Sequence, residues 1–369
     1  MANPVVAVEA DDLPLSFDSI TDQWLSNVLC ARHPGAAVTS HELDEPDVGT
    51  SNRQRIWISY NQIGREAGLP QSVFCKASHG LANRIALGLT SGATSEVYFY
   101  QHLRDKLNVE APRCFHARID KESCNSIVIL EDLGAVVKEF CTHETKITRA
   151  LAESLVRLLG RVHGQGYSVP EVKEGLKGMW TWPEIFEMTF EFGMKEGSNK
   201  GFLTAESVIP ERLYRRYEEI WPATLKSVAF HEDVQHTLAH SDVHLRNWYI
   251  AGSGEMGLSD WQCAGRGHWG RDLAYALATS LDTQDRRLWE KDLVRIYLDE
   301  LEASGGPRVG FEEAWRIYRQ QMLGALAWWT FTLTPPPEAP DMQPPEAAQL
   351  FVGRIATAMD DIGSLDAFD

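Results

Sequence analysis

The chain has 369 residues, of which 44% are hydrophobic and 24% charged, a balance typical of a globular protein with enough length for two lobes. Its formal net charge of -17 disfavours nucleic-acid binding, because a phosphate backbone requires a basic face. No run approaches the ~20 apolar residues of a membrane span, and the acidic N-terminus lacks the basic start of a secretory signal. We therefore expect a cytoplasmic protein that acts on no membrane. The six cysteines are scattered singly, which predicts neither a zinc knuckle nor a disulfide framework.

The first third of the chain predicts a helix followed by strands. Residues 16–35 have apolar residues at helical spacing, Asp18 or Ser19 is the predicted cap, and Pro34 with Gly35 ends the helix. Alternating polarity then predicts two strands, one amphipathic helix that begins near Ser95, and two more strands, in chain order 48–61, 71–78, 91–107, 113–120 and 125–134.

After Gly134 the pattern becomes helical, with apolar residues at the spacing of helix faces in 147–167, 211–225, 271–281, 285–303 and 311–331. A Pro-rich stretch from Leu333 predicts a surface loop before a last helix. We therefore predict an α+β fold with an N-terminal helical extension at 1–35, a β-rich lobe at 36–133 and a helical lobe at 134–369.

The segment LAHSDVHLRNWYI, residues 238–250, is compatible with two chemistries. His240, Asp242 and His244 alternate, which on a strand would place them on one face, as a zinc hydrolase would require. Phosphoryl transfer explains more of the segment, because it needs a carboxylate that orients the attacking hydroxyl and hard oxygen ligands for Mg²⁺. Asn247 follows Asp242 by five residues, which is the kinase catalytic-loop spacing, and Asp260 follows a turn in GLSDWQ.

These two motifs, HSDVHLRNWYI and GLSDW, resemble those of the aminoglycoside phosphotransferase and choline kinase-like family, and especially its ecdysteroid-kinase-like and related bacterial branches. The resemblance extends over roughly residues 40–280, with one departure at Ser241, where the family usually has Gly. It implies a protein-kinase-like bilobal fold and transfer of the γ-phosphoryl group of ATP, with Mg²⁺, to a hydroxyl of a small molecule by a monomer or homodimer.

The resemblance implies a role for each motif residue in the helical lobe. Asp242 would orient the acceptor hydroxyl, and Asn247 and Asp260 would bind Mg²⁺. Further candidates, to support the loop or to lie near substrate, are His240, His244, Arg246, Trp261, His268, Trp269 and Asp272. Asp272 is expected to bond to the backbone near the catalytic loop, and His163 to make a structural contact. Arg271 is a candidate to face substrate, although packing is favoured for it.

In the β-rich lobe, Lys76 lies inside an apolar predicted strand, where an ammonium group is costly unless it is paired. Lys76 would hold the α- and β-phosphates, and Glu96 of the next helix is its natural partner. VGTSNRQ resembles the family's phosphate loop, which implies contacts from Ser51 and Asn52. IVILEDLG resembles the hinge, which implies adenine contacts from the backbone of Glu131 to Leu133.

The many aromatic residues of the helical lobe indicate which chemical class of acceptor the protein would bind. A hydrophobic hydroxylated molecule is favoured, with an aminoglycoside or a choline-type cation as the alternative. Aromatic residues at helical spacing are nevertheless more often core than pocket. The residues concerned are Trp180, Trp182, Phe186, Phe190, Phe192, Trp328, Trp329 and Phe331.

Three other interpretations stay open. A protein kinase is disfavoured, because DW replaces the DFG pattern and no APE-type segment follows. A metallohydrolase built on the alternating histidines would leave Lys76, Asn247 and Asp260 unexplained. A nucleotide-binding pseudoenzyme is disfavoured because every catalytic residue type is present.

Overall fold

The computed structural model describes residues 7–48, 51–89, 91–190, 193–335 and 343–368. The chain divides into two compact units, Met1–Asp105 with Pro112–Val136, and Lys106–Ala111 with Val137–Asp369. The first unit is built on a β-sheet and the second is mostly helical. The predicted α+β class is therefore confirmed. Within the described residues, no helix has the length and apolar character that crossing a membrane requires.

The described residues of the first unit form one six-stranded sheet and four α-helices. Its strands pair only in the antiparallel sense, in the order β1-β3-β4-β6-β5, with β2 beside β3. The strands are β1 (Val38–Leu43), β2 (Asp47–Val48), β3 (Asn52–Tyr60), β4 (Ser72–Ala77), β5 (Cys114–Asp120) and β6 (Asn125–Glu131). The helices are α1 (Asp22–Leu29), α2 (Gln62–Glu66), α3 (Leu81–Leu89) and α4 (Gly92–His102).

Helix α1 covers one face of this sheet. Trp24 and Leu25 are fully buried and share a core cluster with Ile56, Val73 and Ile127 of the central strands. Because an amphipathic helix is stable only where its apolar face is buried, the N-terminal segment belongs to the core of the first unit.

The helix boundaries in this unit differ from those expected. The cap of α1 is Thr21, whose hydroxyl accepts a hydrogen bond from the amide of Trp24, whereas Asp18 and Ser19 belong to a preceding 3₁₀ turn. Helix α4 begins at Gly92, before the expected Ser95, and α3 was not predicted.

The second unit combines ten helices with five short strands in its described residues. The strands form the sheets β10-β9-β7 and β11-β8: β7 (Val137–Phe140), β8 (Thr237–Ala239), β9 (Trp248–Ala251), β10 (Met256–Leu258) and β11 (Gly265–Gly267). The helices are α5 (Arg149–Ser168), α6 (Pro170–Leu176), α7 (Trp182–Phe190), α8 (Met194–Thr204), α9 (Glu211–Tyr214), α10 (Tyr217–Ala229), α11 (Trp269–Ser280), α12 (Thr283–Ala303), α13 (Phe311–Leu333) and α14 (Pro345–Ile362).

Helix α11 lies at the centre of this unit, because every one of its residues is buried. The predicted last helix is present as α14, and the predicted helix 211–225 is divided into α9 and α10. Residues 336–342 of the Pro-rich stretch predicted as a loop lie outside the described residues, and α14 begins within that stretch at Pro345.

Candidate active site

Lys76 and Glu96 form a buried ion pair in the first unit. Strand β4 places Lys76 in the sheet and α4 places Glu96 beside it, so that Nζ lies 2.7 Å from Oε1. Both side chains are less than one-tenth exposed. A charge buried to this extent is tolerated when an opposite charge compensates it. The structure therefore brings together the two residues that the sequence suggested as partners.

Asn52 joins the start of β3 to the turn after β4. Its Oδ1 accepts hydrogen bonds from the backbone amides of His79 and Gly80, both at 3.1 Å. Ser51, beside it, is buried. Gly49 and Thr50, which complete the predicted phosphate loop, lie outside the described residues. Phosphate contacts from Ser51 and Asn52 stay a prediction.

The end of β6 is fixed by Asp132, a residue that the sequence did not single out. Arg55 Nε and Ser72 Oγ each donate to its carboxylate at 2.7 Å. Burial raises the pKa of Asp132, but these two hydrogen bonds, together with the charge of Arg55 and the amide of Gly134, hold the pKa below its ordinary value. Glu131, which ends the strand, and Leu133, which begins a 3₁₀ turn, therefore lie on either side of an anchored residue.

In the second unit, the loop between β8 and β9 carries Asp242 and Asn247. Asn247 Nδ2 donates to the backbone oxygen of Asp242 at 2.8 Å and to its Oδ2 at 3.2 Å. Because the amide nitrogen is committed to Asp242, the amide oxygen is the atom left to bind a cation. That oxygen is a hard ligand of the kind Mg²⁺ prefers.

The Asp242 carboxylate has hydrogen-bonding groups on both oxygens. Tyr275 donates its hydroxyl to Oδ1 at 3.0 Å, and His244 Nε2 lies 3.5 Å from Oδ2. Burial raises the pKa of Asp242, but His244, His240 and the Tyr275 hydroxyl outweigh it and lower the pKa to about 2. The carboxylate is thus ionised at neutral pH, which suits an acceptor that orients a hydroxyl group.

Helix α11 holds the backbone of this loop. Asp272 accepts hydrogen bonds from the amides of His240 at 2.7 Å and Ser241 at 3.1 Å, the backbone contact that the sequence led us to expect. Arg271 Nη1 donates to the carbonyl of Ser241 at 2.6 Å. His163 Nδ1 lies 2.7 Å from the hydroxyl of Tyr297 behind this contact. The buried charged side chains of Asp272 and Arg271 thus hold the backbone of the loop that carries Asp242.

Ser241 has a left-handed backbone, with φ 69°, which explains on physical grounds why Gly is usual at this position. A side chain in this conformation costs roughly 1–2 kcal/mol. In addition, the hydroxyl of Ser241 is buried without a hydrogen-bond partner among the described residues. The protein thus carries backbone strain beside the candidate catalytic Asp242.

We expect Ser241→Gly to increase the free energy of unfolding, by up to about 1 kcal/mol, since relief of strain exceeds the added entropy of the unfolded chain. Urea denaturation would measure the change. Ser253→Gly is the matched control, because Ser253 is exposed in a turn and does not have a positive φ. A Ser241→Gly protein no more stable than the control variant would contradict this account of the strain.

The histidines of the loop do not form a metal site. His240, Asp242 and His244 lie on a loop and not on a strand, so the shared strand face that the zinc-hydrolase alternative required is not formed by these three residues. His240 uses both ring nitrogens, Nε2 at 2.9 Å from the Ser259 carbonyl and Nδ1 at 3.2 Å from the amide of Asp242. In the part of the chain that the structure describes, no three His, Cys, Asp or Glu side chains are grouped to hold a metal ion. The metallohydrolase interpretation loses its geometric basis.

Asp260 lies two residues after the end of β10 and also has a left-handed backbone, with φ 61°. Asp260 is partly exposed. Trp261 beside it is fully buried, and its indole nitrogen donates to the Leu258 carbonyl at 3.2 Å. The buried Trp261 therefore fixes the backbone beside Asp260, close to the end of the short strand β10.

The remaining candidate residues, His268, Trp269 and Arg246, differ in burial and in their contacts. His268 caps α11, with Nδ1 accepting from the amide of Gly270 at 3.1 Å, and Trp269 is fully buried. Arg246 is exposed on the loop. His268 and Trp269 therefore have structural contacts of their own, which gives no reason to place them against a substrate.

The aromatic residues divide between core and surface. Trp182 and Phe186 are buried in one cluster, against which Trp328 and Phe331 pack partly buried. Trp329 is buried with its ring centroid 5.2 Å from that of His244. Two of the aromatics are exposed, Trp180 by 44% and Phe190 by 40%. Phe192 lies outside the described residues.

The antiparallel sheet with its Lys–Glu pair, and the helical unit with its Asp–Asn loop, define a protein-kinase-like phosphotransferase of the small-molecule kinase class. The family model described as the phosphotransferase enzyme family, APH, matches residues 83–309, which is more than half of the chain. The chain belongs to this family. The resemblance to the phosphotransferase family, inferred from the two motifs, is thereby confirmed.

Solved structures are similar in fold at low sequence identity. A candidate aminoglycoside phosphotransferase from Ralstonia eutropha has 14% identity and a TM-score of 0.51, over 92% of this chain and 96% of that one. An ethanolamine kinase from Plasmodium vivax has 11% identity and a TM-score of 0.49, over 88% and 83%. A choline kinase from Streptococcus pneumoniae has 17% identity and a TM-score of 0.43, over 84% and 88%. A search of curated protein sequences found no significant match.

Proposed function

We propose that the protein transfers the γ-phosphoryl group of ATP, in the presence of Mg²⁺, to a hydroxyl group of a small molecule. The observation that carries this proposal is the Asp242 carboxylate with Asn247 bonded to it, in a loop whose backbone is held by the buried Asp272. Family membership supports the reaction class, and the loop supplies the two functions that the reaction needs, orientation of the acceptor and oxygen ligands for a cation.

The donor set of the second unit fits Mg²⁺. The Asn247 amide oxygen and the Asp260 carboxylate would hold the ion, which when bound would neutralise charge on the phosphate oxygens. Asp242 would accept a hydrogen bond from the acceptor hydroxyl and direct its oxygen towards the γ-phosphorus. The low pKa of Asp242 is compatible with this role, because a loose transition state needs little proton removal before the new bond forms.

In the first unit we assign nucleotide contacts. Lys76 would bind the α- and β-phosphates, and Glu96 would hold the ammonium group in place through the 2.7 Å contact. Ser51 and Asn52 would lie near the phosphates, and backbone groups from Glu131 to Leu133 would bind adenine. The hydrogen bonds of Asn52 and Asp132 support these assignments, since both fix backbone segments that a ligand would require to be rigid.

For the acceptor we propose a hydroxylated molecule with an apolar body. Exposed aromatic surface at Trp180 and Phe190 supports this proposal, because exposed rings near a buried aromatic cluster are suited to an apolar ligand. The buried rings, Trp182 and Phe186 among them, would support this surface from below.

The test is phosphorylation of an unidentified acceptor. The purified protein would be incubated with Mg-ATP and a fractionated extract of hydroxylated metabolites, and mass spectrometry would detect species that gain one phosphoryl group. We expect gains that disappear with EDTA and return with added Mg²⁺. A polycationic or quaternary ammonium product would replace the apolar acceptor by an aminoglycoside or choline type. Binding of ATP without any transfer would support a pseudoenzyme and contradict the proposal.

A further inference from the structure

We propose that Tyr275 of α11 is a positioning residue that sets the orientation of the Asp242 carboxylate for phosphoryl transfer. The inference rests on the proposed function and adds to it a residue that the catalytic motifs do not contain. Its basis is the contact between the Tyr275 hydroxyl and Asp242 Oδ1 at 3.0 Å, in a region from which solvent is excluded.

The need for such a residue follows from the chemistry of a carboxylate. The terminal torsion of an Asp side chain is broad, so the carboxylate plane rotates easily unless both oxygens are held. Oδ2 is held by Asn247 Nδ2 at 3.2 Å, with His244 Nε2 at 3.5 Å, whereas Tyr275 donates to Oδ1. Tyr275 thus holds the side of the carboxylate opposite to the proposed metal ligand.

The Tyr275 hydroxyl is suited to be a permanent donor. Burial, and then the charge of Asp242, raise the pKa of Tyr275 well above its ordinary value, so the hydroxyl keeps its proton. The ring is fully buried, with its centroid 6.5 Å from that of His244 and 5.8 Å from the Arg271 guanidinium. A donor confined in this way has little freedom to follow a rotating carboxylate.

Helix α11 fixes the position of Tyr275 relative to the loop that carries Asp242. Arg271 and Asp272 bond to the backbone of residues 240 and 241, and Tyr275, one helical turn further on, bonds to the side chain of Asp242. The Arg271 guanidinium also lies 3.6 Å from the ring centroid of Trp182, which fixes it from the other side. One helix therefore positions both the backbone of the loop and the carboxylate that the loop carries.

The test compares Tyr275→Phe with Tyr318→Phe. Tyr318 is the matched control, because it is a fully buried tyrosine whose hydroxyl donates to another buried carboxylate, that of Glu290, at 3.4 Å. Transfer of label from radiolabelled ATP to the phosphorylated extract fraction would be measured. We expect kcat to fall by roughly 10- to 100-fold in Tyr275→Phe, with the KM for ATP unchanged, and to stay within twofold of the wild type in Tyr318→Phe.

A double-mutant cycle separates positioning from a structural role. If Tyr275 acts through Asp242, Tyr275→Phe should have no further effect on the residual rate of Asp242→Asn. Equal kcat in wild type and Tyr275→Phe, or full additivity of the two substitutions, would overturn the inference while leaving the proposed function intact. A wild-type protein that transfers no label would overturn both.

Discussion

Asp242→Asn is expected to lower kcat for phosphoryl transfer by about 10²–10⁴-fold while Mg-ATP affinity stays nearly unchanged. The substitution keeps the size of the side chain but removes the charge that orients the acceptor hydroxyl. It also places an amide opposite Asn247 Nδ2 and the Tyr275 hydroxyl, both of which donate to the carboxylate. Because Asp242 would contact the acceptor and only indirectly the nucleotide, the effect should fall on turnover.

Steady-state kinetics and calorimetric titration with Mg-ATP would separate the two effects. Asp233→Asn is a suitable control, because Asp233 is exposed and precedes the loop. Turnover retained to within threefold in Asp242→Asn would show that the role assigned to Asp242 is wrong. A large loss of Mg-ATP affinity would instead indicate that Asp242 is a ligand of the metal.

Lys76→Met is expected to lower the free energy of unfolding by about 3–5 kcal/mol, because Glu96 would keep its charge in a buried position after the ammonium 2.7 Å away is removed. Loss of the same ammonium should weaken ATP binding. Replacing both partners, Lys76→Met with Glu96→Leu, should recover most of the stability, since no buried charge of the pair is then left. ATP binding should not return.

Urea denaturation would measure stability and equilibrium dialysis would measure ATP binding. Lys121→Met serves as the control, because Lys121 is exposed in a turn. If the single Lys76→Met variant were as stable as the Lys121→Met protein, the ion pair would not have the energetic role assigned to it. Recovery of stability without ATP binding in the double variant would separate the electrostatic role of Lys76 from its proposed contact with phosphate.

The local pattern of apolar and polar residues was sufficient to predict the strands, because their formation depends mainly on residues close in sequence. The strand around Lys76 was expected at 71–78 and found at Ser72–Ala77, and the strand before Asp132 was expected at 125–134 and found at Asn125–Glu131. Both are short apolar runs between turn residues, which is the pattern of buried strands. The helix boundaries were less accurate. Helix α1 is capped by the Thr21 hydroxyl, a contact that polarity alone does not indicate, and α4 begins at Gly92 instead of near Ser95.

The contacts that hold the candidate site could not be predicted from the sequence, because they join residues that are far apart in the chain. Tyr275 is 33 residues from Asp242, and Arg55 is 77 residues from Asp132, so no spacing rule could pair them. The alternation of His240, Asp242 and His244, which left a zinc hydrolase open as an alternative, does not reflect a strand for a different reason. Ser241 between them has a left-handed backbone, which interrupts the extended conformation on which alternation depends. Family resemblance identified the motif, and physical packing explains its geometry.

The complete burial of α11 has a consequence for how this protein loses its structure. Amides of a helix buried at every residue from Trp269 to Ser280 exchange with solvent only when the surrounding unit opens. Since the same helix holds the loop of Asp242, that loop should share the slow hydrogen exchange of the most stable part of the second unit. Heating should therefore abolish turnover and the protection of α11 in one cooperative transition.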